Sequence, residues 1–250
     1  FQVRDMLKNL NIDTHIIQPD KNNVIKKNMA SARDNRFEGI INFCKKKNIL
    51  HLFLGHHFDD NLETYLIRKI NGSNIEGLAA MKSIAYFNNI QLFRPFIKIT
   101  KSSITNFNKK NNLMFINDPS NKNIIYTRVM VRKFLENTKY KKEIKKDFFS
   151  LKKQIPSYKK MIWEILIRYL TDVSSNKIII NFNKFIKYDD LIIEKHILCI
   201  LNFLSKKKIQ TKSSTITILI NKLKKPGFKN FNLSGIIIIK SSDSLVFSQK

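Results

Sequence analysis

The chain has 250 residues, 46 Lys and Arg against 19 Asp and Glu, a formal net charge of +27 and 43% hydrophobic residues; this length supports one large or two ordinary cored domains, and the charge points to a polyanion such as nucleic acid. Cys44 and Cys199 stand alone without a C-x-x-C pair, which argues against a zinc ribbon, a disulfide framework or a redox motif and implies a reducing, cytoplasmic setting. No apolar stretch has the length of a membrane span and no signal-like segment with a cleavage site is present, so no membrane partner is expected.

Val3, Met6, Leu7 and Leu10 mark the apolar face of an opening helix. Because the chain starts at Phe1 within that pattern, a truncated N-terminus is expected. Thr14 to Ile17 reads as a short strand ended by Pro19, and Asn28 to Lys47 as a helix with Phe37, Ile40, Ile41 and Cys44 on its inner side. Arg33 and Arg36 share a face of that helix; such a pair is either solvated surface or a grip on phosphate or carboxylate. Ile49 to Leu54 reads as a buried strand of a parallel sheet, and Leu62, Leu66 and Ile70 recur at helical spacing after it.

Between strand and helix lies Gly55-His56-His57-Phe58-Asp59-Asp60-Asn61-Leu62-Glu63-Thr64, with five ionisable side chains in eight residues. A strand-to-helix turn is where open α/β sheets bind ligands. A helix beginning near Asp59 would set His56, Asp60 and Glu63 at i, i+4 and i+7, one imidazole and two carboxylates on one face. Acidic residues there also suit the positive end of a helix, which accounts for part of Asp59 and Asp60 without chemistry.

Asn71-Gly72-Ser73-Asn74 stops the helix, and Ile75 to Met81 is a short structured connection. Gln91 to Phe93 is a further strand closed by Arg94-Pro95, and Thr100 or Ser102 can cap a helix through Ile104 and Phe107. A polar turn, Asn117 to Asn121, precedes a helix over Tyr126 to Leu135, on which Arg128 and Arg132 at i, i+4 point the same way. Beyond about Asn137 Lys-rich amphipathic helices take over, with further helices at Leu191 to Leu204 and Ser213 to Leu223 and a hairpin from Gly235 to Phe247. The expected architecture is a doubly wound parallel α/β sheet over residues 1–137, followed by a mainly helical, basic domain over 138–250 with a terminal hairpin. Residues 1–137 carry a formal +11 and 138–250 carry +16. A compositional bias toward Lys is the competing account of that charge.

In order along the chain, Ala32-Arg33 with Arg36-Phe37, His56-His57-x-Asp59-Asp60-x-x-Glu63-Thr64, Gly77-Leu78-Ala79, Arg94-Pro95, and Asp118-Pro119-Ser120-Asn121 followed by Tyr126-x-Arg128 and Arg132 form a set. With these motifs the chain resembles the tRNA(Ile)-lysidine synthetase family of N-type ATP pyrophosphatases. The resemblance implies an adenine nucleotide alpha hydrolase-like fold and a ligase that uses ATP and Mg²⁺. In the implied reaction the O2 of a wobble cytidine in an isoleucine tRNA attacks the α-phosphate of ATP. The amine of free lysine then displaces AMP at C2. It also implies that Asp60 and Glu63 seat the lysine, that His57 orients the site or contacts nucleotide, and that Arg33, Arg36, Arg94, Arg128 and Arg132 hold substrate, phosphate or RNA, with no resident metal ligands and a homodimer as an open option.

Three departures qualify this. The family's Ser-Gly-Gly-x-Asp-Ser phosphate loop occurs nowhere in the 250 residues, so this chain alone is expected to lack the pyrophosphate cradle. Asn71 and Asn74 stand where the family shows arginine and glycine, and Val129 stands where asparagine follows the arginine. Two other function classes compete: a non-catalytic basic RNA-binding protein, which leaves the acidic cluster unexplained, and a metal-dependent hydrolase, which would need ligands beyond the cluster when only His15, His51 and His196 remain elsewhere.

Overall fold

The computed structural model describes residues 2–17, 29–87, 89–114, 127–205 and 213–249. The chain divides into two compact units, 1–153 and 154–250.

In the first unit α1 (Gln2–Lys8) and α2 (Met29–Lys46) precede β1 (His51–Phe53), α3 (Phe58–Ile70), α4 (Ile75–Leu78), β2 (Ile84–Phe87) and β3 (Ile90–Phe93). A 3-10 turn over Pro95–Lys98 leads to α5 (Lys101–Lys110), then α6 (Thr127–Asn137) and α7 (Lys141–Ile167), whose first part belongs here. Its sheet has the order β1-β3-β2, with β1 parallel to β3 in the register Leu52 to Leu92, and β2 antiparallel to β3. The parallel pair, joined through α3, makes this an α/β fold, as the strand and helix alternation predicts. One sheet face buries Ile90 and Leu92 against Ile41 and Cys44 of α2. A second core joins Phe58, Leu62 and Tyr65 of α3 to Val131 and Leu135 of α6 and Phe148 of α7. Burial of Leu62 and Tyr65 at 0% exposure fixes the rotation of α3 about its axis and thereby which of its polar residues face α6; each such side chain contributes about 1.5–3 kcal/mol.

The structure differs from the sequence expectation at three places in this unit. The run Ile49 to Leu54 is not a buried strand: β1 is three residues long, with His51 and Phe53 exposed and Leu50 before it exposed as well. Residues 12–17 contain no strand. Strand β2 escapes the pattern because it presents Ile84, Tyr86 and Phe87 to solvent instead of alternating. The turn Asn117 to Asn121 and Tyr126 lie outside the described residues.

The second unit holds the rest of α7, then β4 (Leu170–Val173), β5 (Lys177–Asn181), α8 (Phe182–Phe185), α9 (Asp190–Leu204), α10 (Ser213–Leu223), β6 (Asn230–Leu233), β7 (Ile236–Ser241) and β8 (Ser244–Gln249). It is less helical than expected. The terminal hairpin β7-β8 is there, but it sits inside a five-stranded antiparallel sheet of order β4-β5-β8-β7-β6. Ile178, Ile180, Ile236, Ile238, Leu245 and Phe247 alternate inward on the three central strands and meet Ile193, Ile197, Leu201, Ile216 and Leu219 of α9 and α10. The outer strands β4 and β6 are four residues each and rich in polar residues, so their alternation is too brief to read.

Candidate active site

The strand-to-helix turn is built by its own polar residues. After β1, Leu54 N–H still donates to Phe93 O at 2.8 Å, and the chain then turns through Gly55 and His56. His57, in extended backbone, is the N-cap of α3: its Nδ1 accepts the Asp60 N–H at 3.3 Å, while the Asp60 Oδ2 accepts the His57 N–H at 3.1 Å. This reciprocal capping box satisfies two backbone donors that a helix start leaves open. Because Nδ1 accepts, the ring proton sits on Nε2, 3.4 Å from Asp60 Oδ2. Asp59 turns the other way: its Oδ2 accepts the Lys101 N–H at 2.7 Å and so tethers the first turn of α5. The helix starts at Phe58, so His56 lies outside it and the predicted one-face spacing holds for Asp60 and Glu63 alone.

Inside the turn the acids meet the arginines of α6. Glu63 is 2% exposed; its Oε2 accepts from Arg128 Nε at 2.8 Å and its Oε1 from Arg132 Nε at 2.7 Å, with a further Arg132 contact at 3.3 Å. Arg128 also donates to Asp60 Oδ1 at 3.0 Å. The geometry follows from two periodicities: Asp60 and Glu63 are one turn apart on α3, Arg128 and Arg132 one turn apart on α6, and the apolar residues between them pack the two helices together. A carboxylate this buried is tolerable only when paired and fully hydrogen-bonded. In return, the Glu63 hydrogen bond raises the Arg132 pKa above the ordinary arginine value, against the opposing effect of burial. The two acids and two guanidinium groups balance in charge.

Other expected site residues sit elsewhere. Arg94 closes β3 and donates through Nη1 to Lys82 O at 3.0 Å, which braces the approach to β2. Arg36 is exposed on α2; Arg33 lies on the same helix, with its side chain outside the described residues. Asn71 and Asn74, the departures after α3, have local roles: Asn71 caps its C-terminus, and Asn74 Oδ1 accepts the Gly77 N–H at 3.0 Å to start α4. A Cβ on Gly77 would come within 3.1 Å of Ser73 Cβ, so the close turn explains the glycine. Val129 is buried on α6.

Two residues that sequence reasoning passed over support the site. Asn61, 1% exposed, exchanges hydrogen bonds with the Met81 backbone at 2.7 and 3.3 Å, pinning α3 to the segment after α4. Arg68 donates to Gly77 O at 2.6 Å and Ala80 O at 3.3 Å from the other end of the same helix. The available signal was helical spacing: Asn61 sits next to Leu62 on the inward face, where a polar residue needs a partner. Among the described residues, no group of three or more His, Cys, Asp or Glu side chains is arranged to hold a metal ion.

A parallel β-α-β unit with an acidic, capped strand-to-helix turn is the setting in which comparison with known proteins becomes informative. A family model of the PP-loop domain matches residues 1–139. The chain belongs to the PP-loop family. PP-loop domains bind ATP. The relatives bear out the resemblance drawn from the motifs. This PP-loop chain is 38% identical to the tRNA(Ile)-lysidine synthase of Orientia tsutsugamushi over 108 residues, covering 43% of the chain and 24% of that protein. It is 32% identical over 124 residues to the Wolbachia pipientis enzyme of the same name, covering 50% and 29%. To the Bacillus cereus tRNA(Ile)-lysidine synthase it is 30% identical over 195 residues, covering 76% and 41%. The chain thus spans between 24% and 41% of the length of these curated relatives. Among solved structures, the U34-tRNA thiolase NcsA of Methanococcus maripaludis, with its [4Fe-4S] cluster, matches at 16% identity and a TM-score of 0.47, over 63% of this chain and 55% of that one.

Proposed function

We propose that this chain is part of an enzyme that ligates lysine to C2 of the wobble cytidine of an isoleucine tRNA, through an adenylated intermediate, to form lysidine. The observation that carries the reading is the charge-balanced set in which Arg128 and Arg132 of α6 meet Asp60 and the buried Glu63 in the first turns of α3, in a PP-loop chain similar to tRNA(Ile)-lysidine synthases. ATP and free lysine are the small substrates, and the adenylyl group supplied by ATP turns the cytidine O2 into a leaving group.

The residues divide the work by exposure. Asp60, whose side chain is 15% exposed against 2% for Glu63, is the acid that meets the lysine ammonium through a charge-assisted bond. Glu63 belongs to the same seat but acts mainly by fixing both guanidinium groups. Arg128 and Arg132 present cationic surface to phosphate, which suits the planar donor fork of arginine. His57 holds the turn in shape through its capping box. The phosphate-loop motif is not in these residues and the acids are engaged by arginines, so the set does not fit a metal centre and no protein ligand is assigned to Mg²⁺.

A non-catalytic RNA-binding protein remains a weaker reading, because charge alone gives no reason to bury Glu63 against two arginines. The test is lysine incorporation. The polypeptide expressed from its native reading frame is incubated with unmodified isoleucine tRNA transcript, ATP, Mg²⁺ and labelled lysine, and label in the anticodon loop is scored. Label that requires ATP and is lost in Asp60→Asn supports the reading. Tight tRNA binding with no ATP-dependent label would reject it in favour of simple RNA binding.

A further inference from the structure

The second unit contains a cavity that the α3 site does not use. Arg168, Tyr169, Lys184, Lys187 and Tyr188 line a space of about 360 Å³. Three of its five lining residues are cationic and none is acidic. No carboxylate among the described residues forms an ion pair with Arg168, Lys184 or Lys187. Three cations gathered around one concavity without a counter-charge repel one another, and an anion removes that cost.

The frame beneath them is rigid. Phe182 and Phe185 of α8 are 6% and 0% exposed, so α8 is anchored on its apolar side. Asn181 Oδ1 accepts the Lys184 N–H at 2.9 Å, and the Phe182 N–H donates to Asp243 O at 2.6 Å, which fixes both the turn and its seat on the sheet. Lys184 and Lys187 are three residues apart along this helical turn and its continuation, so both project toward one side. Tyr169 forms the floor. Its hydroxyl bonds His196 Nδ1, and His196 Nε2 donates to Ile162 O at 2.8 Å, so the ring is held by a buried relay. Tyr188 stands beside it at 5.7 Å between ring centroids.

We propose that this cavity is a binding site for phosphodiester groups of RNA, with the tyrosines offering ring surface to the attached sugar or base. The proposal rests on the tRNA reading above and adds a location to it. The build favours a polynucleotide backbone over a free nucleotide. Its cations are exposed side chains on long stems, suited to an extended chain of charges. None of the six glycines, which would let a backbone cradle close on a triphosphate, is among the lining residues.

The test compares two charge-matched double variants of the full chain. One is Lys184→Gln with Lys187→Gln; the other is Lys225→Gln with Lys229→Gln, two exposed lysines of the same unit outside the cavity. Affinity for an isoleucine tRNA transcript is measured by fluorescence anisotropy from about 0.05 to 0.2 M salt, with thermal melting as the check that both variants fold. The cavity variant should bind about tenfold more weakly at the upper salt, and its log-log salt slope should fall by about 1.4, two phosphate contacts' worth. The control should stay within about twofold of the unaltered chain. Equal losses in both variants would overturn the site and leave only diffuse attraction by abundant lysine. Competition by ATP that is lost in the cavity variant alone would overturn it in favour of a nucleotide pocket, and inorganic phosphate competing as well as tRNA would reduce it to a simple anion site. An unaltered chain that does not bind the tRNA would remove the functional reading itself, a result distinct from binding that ignores the cavity.

Discussion

Glu63→Gln tests the centre of the site most directly. The amide has nearly the shape of the carboxylate, so packing is preserved while the charge is removed. Glu63 is 2% exposed and accepts from Arg128 at 2.8 Å and from Arg132 at 2.7 and 3.3 Å. Glutamine keeps one acceptor oxygen and turns an NH₂ group toward a guanidinium, leaving donors face to face. Removing one partner of a fully buried pair costs about 3–5 kcal/mol. Here the side chains of Arg128 and Arg132 are 31% and 24% exposed, so water recovers part of their solvation and the expected loss is about 2–3 kcal/mol. Urea denaturation of the chain, followed by far-ultraviolet circular dichroism, should show the transition of the first unit moved down by about 1 M. A double-mutant cycle with Arg132→Gln separates the pair from the site, and a coupling of at least about 1 kcal/mol is expected. A loss below about 0.5 kcal/mol, within the range of an ordinary surface substitution, would refute the claim that this ion pair organises α3 against α6.

Phe148→Ala should destabilise the first unit by about 3–4 kcal/mol, because the ring is 1% exposed against Phe58 and Tyr65 and leaves a cavity that calorimetry registers. His196 is buried with its pKa lowered by desolvation, so the unfolded chain takes up the proton first. Its contribution to stability is full above about pH 6.5 and falls as the pH drops below it, by at most about 1.4 kcal/mol per pH unit. Unfolding midpoints of His196→Gln measured from pH 7 to 5 should show a shallower slope than the unaltered chain, and an identical slope would exclude His196 as the group responsible. In the native polypeptide, Asp60→Asn should raise the KM for lysine while leaving ATP-pyrophosphate exchange largely intact; loss of both together would assign Asp60 to the first step instead.

What the sequence disclosed depended on how far each signal reaches along the chain. Strand β1, helix α3 and the cluster between them were legible because apolar run, polar turn and helical spacing lie within about twenty contiguous residues, a span over which periodicity is informative. Helix α6 was legible for the same reason, including the shared direction of Arg128 and Arg132. Their destination was not. Glu63 and Arg128 are 65 positions apart, and spacing says nothing about which helix a face will meet; an RNA-facing role and an acid-facing one carry the same i, i+4 signature. His57 shows a different limit: its use as a helix cap replaces a residue type usually chosen from Ser, Thr, Asp or Asn, so composition gave no hint. In the second unit the hairpin β7-β8 was legible, but β5 and the short polar strands β4 and β6 were not, so the sheet to which the hairpin belongs stayed hidden.

The charge balance of the α3 site bears on the order in which the proposed substrates would reach it. Two carboxylates and two guanidinium groups cancel, and the helix N-terminus adds positive partial charge, so an arriving ammonium finds no net attraction while all four stay paired. Arg132 contacts Glu63 through two nitrogens, whereas Arg128 divides its contacts between Glu63 and Asp60. Arg128 is therefore the partner whose displacement frees Asp60 and still leaves the buried Glu63 compensated. In the proposed reaction, phosphate is the anion that draws a guanidinium away, since it offers the same bidentate geometry as the carboxylate it replaces. Lysine would then find its acid only after a phosphate-bearing substrate has engaged Arg128. That order matches the chemistry, because lysine has nothing to displace until the cytidine has been adenylated.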